Sequence, residues 1–138
     1  MRQATRMLHL STPGQGLHEI TAEVVAWTRN QEMTTGLLTL FCRHTSASLV
    51  IQENADPNVR ADVQDWVAAV APESRVYRHQ DEGPDDLPAH LRSVLTGVQL
   101  SIPLIDRKLA LGTWQGIYLF EHRKRPHRRE VAMHLLGV

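Results

Sequence analysis

From Val98 to the end of the chain, four segments rich in apolar and β-branched residues follow one another: "VQLSIPLI", "KLALG", "TWQGIYLFEH" and "REVAMHLL". Only a few polar or basic residues separate each from the next. A parallel pair of strands needs a crossover of a dozen or more residues, usually a helix, and these connections are far too short for one. The segments must pair largely antiparallel. This single feature excludes a doubly wound nucleotide fold, and no glycine-rich phosphate loop follows any strand-like run.

The rest of the chain fits the same plan. Gln3 to Leu10 alternates loosely and reads as an edge strand, with "STPGQG" as the turn after it. Between His18 and Gln31, Ile20, Val24, Val25 and Trp27 recur at helical spacing and predict a first helix with one apolar stripe. "TGLLTLFCRH" and "SASLVIQE" predict strands on either side of the His44 to Ser46 region. Asp56 before Pro57 has the chemistry of a helix start. Val59, Val63, Trp66, Val67 and Val70 then give that helix an apolar face, and Pro72 ends it. "LPAHLRSVL" predicts a short third helix stopped by Gly97. The expected fold is α+β: a mostly antiparallel, sandwich-like sheet core with about three helices, forming one domain over residues 1–138.

Bulk properties exclude several functions. The 138 residues suffice for one core, and 15 basic against 15 acidic residues give no global field to recruit nucleic acid or an anionic membrane. No apolar run spans a bilayer and the start lacks a signal-peptide core, so a cytoplasmic location is expected. The single cysteine, Cys42, forbids an internal disulfide and sits where a small buried hydrophobe belongs.

Chemistry-bearing residues concentrate in few places. "YRHQDEGPDDLPAH", Tyr77 to His90, is too rich in carboxylates, Pro and Gly for a regular element and reads as an exposed functional loop. His44, His79 and His90 each stand at a junction between elements. Three imidazoles converging from separate segments would make a three-ligand metal site with one open position, and nitrogen ligands favour zinc over magnesium. Asp81, Glu82, Asp85 and Asp86 could orient the imidazoles from outside or accept protons. "QENADP" groups Glu53, Asn54 and Asp56 at a helix start, with Asp56 the natural cap and Asn54 open to either a turn or a ligand contact. "LGTWQG" brackets Thr113, Trp114 and Gln115 with glycines, as though the backbone bulges or packs closely there. "HRKRPHRR" holds five permanent cations in eight residues. A solvated hairpin tip is the expected reading and a phosphate patch the alternative, nucleic acid being disfavoured because no aromatics interleave the charges.

Taken together and in order, "HTSASLVIQENADP", "YRHQDEGPDDLPAH", "SIPLI" and "LGTWQGIYLFEHR" resemble the YjbQ family, described as secondary thiamine-phosphate synthases. The resemblance spans nearly the whole chain. It implies an α+β fold, a homotrimer, and a histidine-lined site at subunit boundaries that handles a small phosphorylated substrate without membrane or nucleic acid. It assigns His44, His79 and His90 to a metal, zinc in first place, with magnesium entering alongside substrate pyrophosphate. It places Glu82, Asn54, Asp56, Thr113 and Gln115 in the site, and Arg92 is a candidate to neutralise the leaving pyrophosphate. Gln52 stands where the family usually has Asn, and "DRKLALG" lacks the customary glycine of its turn, which puts that tight turn in question. The implied reaction joins a pyrimidine pyrophosphate to a thiazole phosphate. A metal-dependent hydrolase of a phosphorylated molecule and a non-enzymatic trimeric ligand-binding protein are the alternatives.

Overall fold

The computed structural model describes all residues, Met1–Val138. Eleven elements follow in chain order: β1 (Arg2–Thr12), β2 (Gly16–Glu19), α1 (Thr21–Asn30), β3 (Gly36–Cys42), β4 (Ala47–Glu53), α2 (Pro57–Val70), α3 (Asp86–Thr96), β5 (Gln99–Ile105), β6 (Lys108–Leu109), β7 (Gln115–Glu121) and β8 (His127–Gly137). Every pairing is antiparallel. The strands form two sheets, β1-β8-β3-β5-β6 and β2-β7-β4. The expected α+β fold of mostly antiparallel strands with three helices is therefore the fold observed.

Period-two burial shows how the sheets meet. Along β8, Val131, Met133 and Leu135 are buried while the residues between them are more exposed. Leu38, Leu40 and Cys42 of β3 join them, with Ile102 and Leu104 of β5. From the smaller sheet come Leu49 of β4 and Ile117 and Leu119 of β7, so the core fills the space between the sheets. Cys42 is buried, as expected, and burial pushes its thiol up. The other face of β7 is also buried, through Tyr118, Phe120 and His122, because α2 and α3 pack against the smaller sheet. No helix is long and apolar enough to cross a membrane.

Two helices differ from expectation. The first begins at Thr21, because His18 and Glu19 extend β2 and pair with Leu119 and Tyr118. Ile20, Val24 and Trp27 are buried as predicted. In α2 only Val67 is fully buried, whereas Trp66 and Val70 are more than half exposed. The predicted apolar face is wider than the strip that α2 lays against the sheet, so its flank stays in solvent. Asp56 caps α2 by accepting from the Asn58 N–H at 2.9 Å, and Pro57 opens the helix.

Candidate metal centre and adjoining cleft

The loop from Val76 to Pro84 and the first two turns of α3 bring His79, Asp86 and His90 together. Their ligand atoms all lie within 4.8 Å of one another. Asp86 and His90 are four apart on α3, so helical geometry puts them on one face, and the loop folds His79 back across it. Asp86 Oδ2 is 2.7 Å from His79 Nε2 and 3.2 Å from His90 Nε2. The two rings stand 5.8 Å apart, edge to face.

A hydrogen-bonding conflict marks this cluster. His90 Nδ1 lies 3.0 Å from the Thr45 carbonyl, which can only accept, so Nδ1 carries a proton. In the neutral ring Nε2 is then a lone pair, and it faces the Asp86 carboxylate. Burial would raise the Asp86 carboxyl, but the His79 hydrogen bond and the charges of His90 and Arg123 outweigh it and hold it below the usual range. Two acceptors facing each other require a cation between them, either a proton on His90 or a metal ion.

The carboxylate is braced from behind. Arg123, in the β7–β8 hairpin, donates from Nη1 to Asp86 Oδ1 at 2.6 Å, from Nε to Asp85 Oδ2 at 3.0 Å and from Nη2 to the Glu82 carbonyl at 3.0 Å. The Lys124 N–H adds a bond to Asp85 Oδ2. With Oδ1 held by the guanidinium, Oδ2 is the oxygen left for the histidines. Two imidazoles and one carboxylate suit zinc or another transition ion better than magnesium, and leave a position open.

His44 stands apart from this trio. It lines a cleft of about 740 Å³ that His90 also borders. Phe41, Val94 and Val98 form its apolar wall and Arg43 its cationic edge. His44 Nε2 accepts the Glu130 backbone N–H at 2.8 Å, which engages one ring nitrogen and leaves the neutral ring's proton on the other, so neither nitrogen has a lone pair free for a metal. Of the three histidines assigned to the metal, the fold thus groups His79 and His90 around Asp86 and puts His44 in the neighbouring cleft.

The remaining assigned residues lie elsewhere. Glu82 is exposed, and only its carbonyl reaches the cluster's support. Arg92 is buried, with Nε and Nη2 donating to the Ala71 carbonyl, so its guanidinium faces away from the cleft. Asn54, Asp56, Thr113 and Gln115 sit at the opposite end of β4 and β7. Ala47 pairs with Glu121 near the cleft, while Glu53 pairs with Gln115 at the far end. At roughly 3.3 Å per residue, seven-residue strands separate the two ends by about 20 Å. The two motifs do converge there: the Asn54 N–H donates to the Trp114 carbonyl, and Gln115 Oε1 accepts the Gly112 N–H. Gly116 lies tight against its neighbours: a Cβ there would displace the Glu19 carboxylate, 2.8 Å away, and press on Asn54 Cβ and the Tyr118 ring at 3.0 Å.

The basic run is a solvated tip, as expected, at Lys124, Arg125 and Arg128, which are exposed, but not at its flanks. Arg123 holds Asp85 and Asp86, Lys124 pairs with Glu73 at 2.7 Å, and Arg129 is buried against Glu121. Arg125 and Arg128 alone remain outside ion pairs. Sequence reading gave Arg43 no site role and Arg123 only a share in the alternative phosphate patch, since their value depends on partners distant in the chain. Asp86 had a visible signal, its i,i+4 spacing to His90.

A two-sheet antiparallel domain with a His–Asp–His cluster beside an apolar cleft defines the class. The sequence profile described as "UPF0047 protein YjbQ-like" matches residues 6–138, and the chain belongs to this family. It is 50% identical to a UPF0047 protein of Synechocystis sp., covering 99% of this chain and 93% of that one. It is 42% identical to YjbQ of Salmonella typhimurium, with 96% of each chain covered. Among solved structures, an uncharacterized conserved YjbQ/UPF0047 protein from Clostridium acetobutylicum superposes with a TM-score of 0.88 at 32% identity, covering 95% of this chain and 99% of that one.

Proposed function

We propose that the protein is a metal-dependent enzyme acting on phosphorylated small molecules, with a transition-metal ion, zinc in first place, held by His79, Asp86 and His90. The single observation that carries this is the His90–Asp86 contact, where a lone pair and an ionised carboxylate face one another and call for a cation. Bound there, the ion would supply positive charge for a leaving or reacting phosphate oxygen. The chain itself supplies the cleft beside it: Phe41, Val94 and Val98 offer an apolar surface for a ring, and Arg43, which gives Nη1 to Glu130 Oε2 at 2.7 Å, has its remaining N–H groups for phosphate.

Thiamine phosphate formation is the first reaction to test. The thiazole nitrogen would attack the pyrimidine methylene carbon, forming a C–N bond as the C–O bond to pyrophosphate breaks and pyrophosphate departs with the electron pair. Stabilising that departing charge is the catalytic task. Protein loaded with zinc and supplied with both substrates, and with magnesium for the pyrophosphate, is expected to yield thiamine phosphate, and Asp86→Asn and His90→Ala are expected to abolish it. Wild-type turnover no greater than that of these variants defeats the reading of this reaction.

The working form proposed is a homotrimer in the cytoplasm. Leu37 and Leu136, paired across β3 and β8, are exposed on the larger sheet, as are Phe41 and Val94 at the cleft, and such apolar surface favours self-association. A lone unpaired cysteine agrees with a reducing compartment.

A further inference from the structure

His44 is held by a contact that fixes its chemistry. The Glu130 backbone N–H can only donate, so the nitrogen that receives it at 2.8 Å, Nε2, carries the lone pair. The proton of the neutral ring is then on Nδ1. The contact is well anchored, because the Arg43 N–H also donates to the Glu130 carbonyl at 3.2 Å, tying this short connection to β8 on both sides. A doubly protonated ring would forfeit the Glu130 bond. Burial, and after it the Arg129 charge, push His44 below its ordinary range.

Nδ1 has no partner within the chain, nor is it among the polar atoms sealed inside without one. It is therefore reachable by solvent, on a residue that lines the cleft. His90 has the opposite arrangement, with its proton spent on Thr45 and its lone pair turned to Asp86. One ring is prepared to donate and the other to ligate. Arg43 and His44 line the cleft together with Val94, Gly97 and Val98. Arg43 is the one permanent cation among the lining residues; its Nη1 donates to Glu130 Oε2 at 2.7 Å, which leaves its other N–H groups for an anion beside His44, with an apolar body against Val94 and Val98.

We propose that His44 is a binding residue for an oxyanion of the phosphate class, donating Nδ1–H to it beside Arg43, and is not a metal ligand. This rests on the cleft being the site of the proposed function but does not require the metal. A hydrogen bond to a charged group accounts for about a tenfold or greater change in affinity.

The test uses inorganic pyrophosphate and zinc as separate probes on the full chain. By calorimetry, with chelator present, His44→Ala is expected to weaken pyrophosphate binding about tenfold or more, while zinc affinity, read by chelator competition, stays at the wild-type level. In wild-type protein labelled with ¹⁵N-histidine, His44 is expected to show the neutral, Nδ1-protonated tautomer near neutral pH, and its Nδ1–H resonance to move on adding pyrophosphate. Loss of zinc in His44→Ala would make it a ligand and overturn the inference. An unchanged pyrophosphate affinity, an Nε2-protonated ring, or a wild-type protein that binds no pyrophosphate would do so too. Failure of wild-type protein to bind zinc would sink the metal centre alone, since the pyrophosphate arm is run without metal.

Discussion

At the scale of single residues, the tautomers of two histidines separate two functions that their sequence positions do not distinguish. The partner that each ring meets decides this: a carbonyl for His90 Nδ1, an amide for His44 Nε2. Asp86 is the pivot of the proposed metal cluster and Arg123 its brace. Asp86→Asn is expected to reduce zinc affinity at least a hundredfold, and Arg123→Gln by about ten- to a hundredfold through loss of carboxylate orientation. Chelator competition measures both. A second residue-scale prediction concerns His122. Burial, with the Arg92 charge next, lowers it to about 3, and Nε2 lies 2.9 Å from Ser48 Oγ. The unfolded chain takes up a proton here below about pH 6.5, which the folded chain refuses until much lower pH. Stability at this position is thus complete above pH 6.5 and declines as pH falls, by up to about 1.4 kcal/mol per unit. His44 adds to the decline in the same direction. Urea unfolding at about pH 7 and about pH 5 is expected to show a smaller pH-dependent loss in His122→Gln than in wild-type protein. The lowered carboxyls Glu121, Asp85 and Asp86 contribute fully above the ordinary carboxylate range and give up their contributions as pH falls through it, which begins only at the lower edge of this window.

At the scale of elements, local pattern and tertiary demand are separable. β5 and β6 pair Ile105 with Lys108, leaving Asp106 and Arg107 as a two-residue turn, and both have positive φ, 49° and 68°. This is the tight turn whose missing glycine put it in question, and it forms without one. Arg107 N–H still donates to the Thr34 carbonyl at 3.0 Å, which helps to hold the strained backbone. Left-handed backbone costs a residue with a Cβ about 1–2 kcal/mol, so Arg107→Gly is expected to stabilise the protein by about 1 kcal/mol after the added unfolded-state entropy is deducted. The denaturant midpoint measures it, and a fall in midpoint would refute the reading. The helices divide in the same way. α3 matches its predicted extent closely because Gly97, at φ 90°, terminates it locally. α2 has its predicted ends, Asp56 and the turn before Pro72, yet not its predicted buried face. A cap is a contact between neighbours in sequence, while the width of a buried face depends on which sheet the helix meets and at what angle.

At the scale of the whole molecule, the two ends of the β4–β7 pair have become separate places. "HTSAS" and "YRHQDEGPDDLPAH" meet at one end, and "QENADP" and "LGTWQG" at the other, with Trp114 largely exposed. Within one chain the second pair cannot touch the metal cluster. The exposed apolar residues beside the cleft belong to the proposed assembly. Sedimentation of wild-type protein is expected to give three times the mass of the chain, and Phe41→Glu with Val94→Glu to shift it towards the monomer. A wild-type monomer would remove the trimer from the proposal.

The sequence by itself determined the antiparallel class, through connections too short for crossovers, and also the ends of α2 and α3, the burial of Cys42 and the crowding of ligand-type residues between Tyr77 and His90. These depend on periodicity, backbone sterics and spacing, which act over a few residues. Tertiary structure alone decided that Arg123 turns inward to Asp86 while the exposed Lys124 reaches Glu73, that Arg92 is spent on Ala71, and that His44 accepts from Glu130 while His79 and His90 surround Asp86. Charge, protonation and ligand choice follow from contacts between segments far apart in the chain, and those contacts exist only after the two sheets have closed on their core.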